Sequence, residues 1–186
     1  MKKIFLQISI MTFTSVALTA PAPISTRIVS PELGLYRSPL GFKIDTADTD
    51  WELIPAPKKS KYVITSFRSK STNNKGYASL TVRRDPLAKS QSIEGYIQKW
   101  LNQYPRFGFD VSGAKKIKIK DQKGYLIDLV SRDGKKQLRQ VVYMRDKDAF
   151  VLTCRDNKEN FKNSLKSCNK IIRSFAWTEN TDSKVE

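Results

Sequence analysis

The stretch that decides the fold is Lys115–Arg155, KKIKIKDQKGYLIDLVSRDGKKQLRQVVYMRDKDAFVLTCR. Four runs rich in Ile, Val, Leu, Tyr and Phe are separated by the turn-forming DQKG, RDGK and RDKD. They predict strands near Ala114–Lys120, Gly124–Ser131, Gln137–Arg145 and Ala149–Arg155. Gaps this short join antiparallel neighbours, so an antiparallel meander is expected, with Asp133-Gly134 suited to a type I′ hairpin turn. Within the first run Lys116, Lys118 and Lys120 alternate with Ile117 and Ile119. The lysines therefore belong to one face of the strand and the isoleucines to the other.

The period changes on either side of the meander. Upstream, Ile93, Tyr96, Ile97, Trp100, Leu101 and Tyr104 recur at helical spacing behind a capping Ser92 or Ser90. Downstream, Phe161, Leu165, Cys168 and Ile172 mark the apolar face of a helix from about Asn157 to Ile172. Cys154 has the parity of Phe150 and Leu152 in the preceding strand, and Cys168 lies on the inner face of the helix. The two sulfurs can meet between strand and helix, so a Cys154–Cys168 disulfide is expected, two buried thiols being the alternative.

Nearer the N-terminus, GFKIDT alternates Phe42 and Ile44 as a short strand. KYVITSFRS and GYASLTVRR read as a hairpin around KSTNNKG, and DTADTDWE as a solvated acidic loop. RSFAW can add one more short strand. Residues 1–20 have a basic start (Lys2, Lys3), an interrupted apolar run and small residues near a cleavage point, as a signal peptide does. That run is short for a membrane span, so no stable span is expected after processing, an uncleaved membrane anchor being the alternative. Residues 21–36 are a proline-rich linker or extended arm, 37–177 the folded domain and 178–186 a polar tail.

The order of these pieces, a GF strand, Trp51, a hairpin, a helix, a meander, a terminal helix and a closing Ser174-Phe175, resembles the PsbP-like superfamily. That superfamily includes the photosystem II extrinsic protein, a Ran-binding nuclear import factor and bacterial exported proteins. The resemblance implies an α+β fold, an α/β/α sandwich with a central twisted antiparallel sheet and two main helices. It also implies a non-catalytic binding or assembly module. The superfamily has no shared catalytic motif, so no catalytic residue carries over.

The chain has 34 Lys+Arg against 18 Asp+Glu and no histidine, a net charge of +16 that does not titrate near neutral pH. Its partners are expected to be anionic. Without histidine, the Ser-His-Asp and Cys-His mechanisms are absent, and two cysteines are too few for a zinc site, so no metal or cofactor is expected. Ser-x-x-Lys occurs at Ser112–Lys115 and Ser167–Lys170 without the companion motifs of an acylating serine enzyme. The candidate anion-binding residues are Lys116, Lys118, Lys120 and Arg139 on the sheet, with Arg145 and Arg155 as further wet positions. Lys162, Lys166 and Lys170 follow, in a helical stripe that begins at Lys158, for which a solvated face serving only solubility is the competing reading. Aromatic residues sit mostly at core parity rather than among these cations, which argues against nucleic acid. An envelope polymer, a lipid headgroup or an acidic protein fits better. The expected function is an exported, periplasmic or secreted accessory protein. The alternatives are an exported hydrolase built from spatially assembled carboxylates and a secreted cationic effector.

Overall fold

The computed structural model describes residues 34–56, 60–70, 78–88 and 91–178. The signal segment, most of the arm, the KSTNNKG turn beyond Lys70, Ser90 and the tail from 179 lie outside them. Among the described residues, ten strands and two α-helices follow in chain order: β1 (Leu35–Ser38), β2 (Phe42–Asp45), β3 (Trp51–Ile54), β4 (Val63–Ser69), β5 (Ser79–Pro86), α1 (Ile93–Gln103), β6 (Phe109–Ile119), β7 (Gln122–Ser131), β8 (Lys136–Arg145), β9 (Asp148–Asn157), α2 (Lys158–Ser174) and β10 (Ala176–Trp177).

Seven strands form one antiparallel sheet in the order β3-β4-β5-β9-β8-β7-β6, and β1-β2-β10 form a smaller one. The expected meander is β6 to β9, and the expected hairpin is β4–β5. Pairing of β5 with β9, Leu80 opposite Cys154 and Val82 opposite Leu152, joins the two into a continuous sheet. The intervening α1 crosses one face, where Tyr96, Ile97 and Tyr104 pack with Ile127, Leu129, Val142 and Val151. On the other face α2 and the small sheet bury Phe42, Ile44, Phe161, Ile171, Ile172 and Phe175 against Phe67, Leu80, Val82, Tyr143 and Leu152. The result is the three-layer α+β sandwich expected from the resemblance.

Aromatic rings join the small sheet to the large one. Phe175 stacks on Tyr143 at 5.2 Å and on Phe42 at 5.3 Å between centroids, and meets Trp177 edge-on at 4.9 Å. The Tyr143 ring can lie flat because Gly124 is its cross-strand neighbour: a Cβ there would fall 2.9 Å from Tyr143 Cδ1 and 2.5 Å from the Val142 carbonyl oxygen. Behind these rings the disulfide is formed, linking Cys154 of β9 to Cys168 of α2 with Cα atoms 6.2 Å apart.

Three local readings change. DTADTDWE is a loop only as far as Asp50. From Trp51 it pairs with β4, since Trp51 is a buried anchor and Glu52 is 2.9 Å from Arg68 across the ladder. Leu35 and Tyr36, placed in the arm, already pair with Asp45 and Ile44, with the Tyr36 ring buried against Phe42 and Phe67. Asp133-Gly134 is not a two-residue turn. It belongs to a four-residue loop, Arg132–Lys135, in which Asp133 accepts from the Ser131 hydroxyl and the Lys135 amide, and only Gly134 takes the left-handed conformation. The two-residue connections are Lys120-Asp121 and Asp146-Lys147, where Lys120 and Asp146 are left-handed.

Candidate binding groove

β6 is the last strand of the large sheet, and its lysines follow from that position. Ile117 and Ile119 turn toward α2 and pack against the core, while Lys116 and Lys118 emerge on the α1 side. Lys116 Nζ is 3.0 Å from Glu94 Oε1 and lies over the Tyr125 ring at 5.9 Å. The hydrogen bond raises the lysine's pKa and holds the Glu94 carboxyl below its ordinary value. Lys118 is 3.9 Å from Asp121. Cations along an edge strand oppose the addition of a further strand, and the bulge between Val111 and Gly113 twists the same edge.

Arg139 does not continue this row. Its neighbours in register are Asp128 and Cys154, so it faces α2, the opposite side from Lys116 and Lys118. It donates to both oxygens of Asp128, at 2.7 and 2.8 Å, and reaches Asn169 of α2 at 3.5 Å. The pair is only about a fifth exposed, at 22% and 21%, so its charges offset one another. Arg145 is likewise turned inward, donating to the Gly41 carbonyl at 2.7 Å and stacking on Trp177 at 5.1 Å. Arg155 is exposed, at the far end of the α1 side. The single cationic row across neighbouring strands is therefore replaced by two separate faces. On α2, Lys162 and Lys166 are exposed, and Lys170 leans to the Asp48 carboxylate at 3.4 Å.

The feature that does gather cations lies where α2 stops covering the sheet. The helix packs over β8 and β9, leaving Leu126, Ile117 and Ile119 half-buried beyond it. These three, with Val141 and Ile172, floor an open groove of about 590 Å³. One wall is the chain from Lys115 to Lys120, and the other is α2 through Asn169 and Arg173, with Arg139 between them. Lys115 pairs in register with Leu126, which places it on the groove side. Both Lys115 and Arg173 are exposed, and among the described residues no carboxylate is placed against either. Of the residues expected to bind anions, Arg139 turns into this groove, Lys116, Lys118 and Lys120 contribute to its wall, and the helical lysines stand apart from it. Lys115 and Arg173 were missed. The available signal was the parity of Lys115 with Ile117 and Ile119, a cation at a core position on the outermost strand.

A second polar cluster lies under α1. Arg83 Nε is 2.9 Å from Asp85, and its guanidinium lies over Trp100 at 4.8 Å. Tyr96 donates to Asp85 and Tyr104 to Gln140. These bonds fasten the helix to β5 and β8. Burial raises the Tyr96 hydroxyl's pKa and pushes Tyr104 up to about 12. On the other face it pushes Tyr143 up to about 12. Raised phenol values in the folded state mean that stability is complete below pH 10 and is lost as pH climbs from 10 toward 12. The melting temperature should stay level from pH 6 to 8, where no side chain titrates without histidine, and fall between about pH 10 and 12. A melting temperature unchanged to pH 12 would contradict these burials.

Neither Ser-x-x-Lys pair adds chemistry: Ser112 is exposed at the β6 bulge, and Lys170 is engaged with Asp48. Among the described residues no group of three or more His, Cys, Asp or Glu comes together. None of the described helices is long and apolar enough to cross a membrane.

No family model matches the chain, and no curated protein does. Solved structures do. Cyanobacterial PsbP (CyanoP) from Synechocystis sp. PCC 6803 aligns with a TM-score of 0.59 at 11% identity, over 85% of this chain and 99% of its own. PA94 of Pseudomonas aeruginosa, a protein of unknown function described as a putative regulator, aligns at 0.56 and 18%, over 75% and 93%. LpqN of Mycobacterium tuberculosis, involved in cell envelope biogenesis, aligns at 0.53 and 15%, over 74% and 83%. Identities this low speak to architecture alone, and the architecture of this chain is the PsbP-like fold.

Proposed function

We propose that the protein is an exported, non-catalytic binding or accessory protein of the cell envelope that holds an anionic partner on a cationic surface. The observation that carries this reading is the groove itself: Lys115 and Arg173 border it with no acid placed against them, while Arg139 is fixed between them by Asp128. Export is supported by the basic and apolar N-terminal segment and by a disulfide, which persists in oxidising compartments. The envelope is favoured by likeness of fold to LpqN, and a binding role by a surface with cations and apolar side chains rather than an acid-base pair.

Binding to polyphosphate measured across a salt series tests the proposal. Affinity should fall steadily from low to physiological ionic strength, as exposed charges are screened. No binding to polyphosphate or to any other polyanion at low salt would remove the electrostatic partner and the proposal with it.

A further inference from the structure

We propose that the groove accepts a single anionic amphiphile, with its alkyl chain on Ile117, Ile119 and Leu126 and its acid group between Lys115 and Arg173. This rests on the reading of the groove as a binding site and names the chemistry of its occupant. A surface meant only for polyanions needs cations on a wet floor. Here the floor is aliphatic, made of half-buried side chains that α2 leaves uncovered and that gain by leaving water. The cations stand at its borders. Arg139 lies in the groove with its charge offset by Asp128, so the uncompensated positive charge falls at Lys115, Arg173 and, where the strand ends, Lys120, and an acid head emerging from the floor would sit between Lys115 and Arg173.

Scale and edge chemistry favour a small amphiphile over an acidic protein. A volume of about 590 Å³ falls within the range of small-molecule sites, whereas a stable protein interface covers roughly 800 Å² on each partner. The route by which a protein segment would dock here, strand addition to β6, is opposed by Lys116, Lys118 and the bulge at Val111.

The experiment is calorimetry on the full chain with dodecyl phosphate kept below its micelle-forming concentration, beside butyl phosphate, inorganic phosphate and polyphosphate. Dodecyl phosphate should bind at least about tenfold more tightly than butyl phosphate. Ile119→Trp, which fills the floor, should erase that contrast. Lys115→Glu with Arg173→Glu should weaken both alkyl phosphates, and Lys162→Glu on the exposed side of α2, away from the groove, should change neither by more than about twofold. Cooperative unfolding of each variant establishes that it folds, and the double charge reversal tests the site even if Ile119→Trp does not. Equal affinity for dodecyl and butyl phosphate would overturn the amphiphile, while polyphosphate binding would leave the proposed function standing. Chain-length dependence that survives both groove variants would overturn the placement. Binding confined to anionic vesicles or an acidic peptide would assign the surface to a different partner, and silence toward every anion would end both readings.

Discussion

Replacing Cys154 and Cys168 together by alanine should lower the unfolding free energy by about 3 kcal/mol, the chain-entropy value for a loop of this size. Both sulfurs are buried, so the substitution adds a small packing loss. The bond fastens the last helix to β9, an interior strand of the large sheet, so the loss should appear first as loosening of α2 rather than of the meander. Asn169, Ile172 and Arg173 follow Cys168 on the same helix, and the groove wall should loosen with it. Hydrogen exchange in α2 should therefore rise more than in β7 and β8. A total loss under about 1 kcal/mol would show that packing by Phe161, Ile171 and Ile172 already fixes the helix without the crosslink.

Phe175→Ala should cost more, about 3–5 kcal/mol, as is usual for removing a buried phenyl ring. Phe175 is 1% exposed and in ring contact with Tyr143, Phe42 and Trp177, so its loss leaves a cavity where the small sheet, the large sheet and the end of α2 meet. The neighbours have little room to collapse. Tyr143 is pressed onto Gly124, and Phe42 is packed against Phe150 as well as Tyr36. Phe175→Leu should recover much of the loss, because most of the volume returns. Denaturant unfolding gives both numbers. A cost below about 1 kcal/mol for the alanine variant would mean that the three-stranded sheet is not held to the domain through this cluster.

Much of this architecture is visible in residue periodicity. Ile117 and Ile119 face the core as their alternation with lysine predicts, and the turn residues place the meander hairpins to within a few positions. The disulfide followed from parity at Cys154 and helical phase at Cys168. What parity within one strand cannot supply is registry between strands. Arg139 and Lys116 both read as polar alternates, yet the ladder puts Arg139 in line with Cys154 under α2. The strand at Trp51 is hidden by four acids in eight residues, since its tie to β4 depends on burial of the Trp51 indole and on Arg68, 16 residues beyond Glu52. The groove was not legible because it exists only where α2 ends short of β6, which depends on how helix and sheet are laid over each other. The lysine-rich run thus has two roles: Lys116 and Lys118 guard a sheet edge, and Lys115 borders the groove.

The central claim is that anion binding belongs to the groove and not to the diffuse positive charge of the chain. It is tested most directly by polyphosphate affinity, at one low salt concentration, in two double charge reversals that change net charge equally. Lys115→Glu with Arg173→Glu should reduce affinity at least about tenfold, while Lys162→Glu with Lys166→Glu on the exposed helix should reduce it by no more than about twofold. Equal losses from the two pairs would show that net charge alone attracts the anion, and a larger loss from the helical pair would place the binding surface on α2.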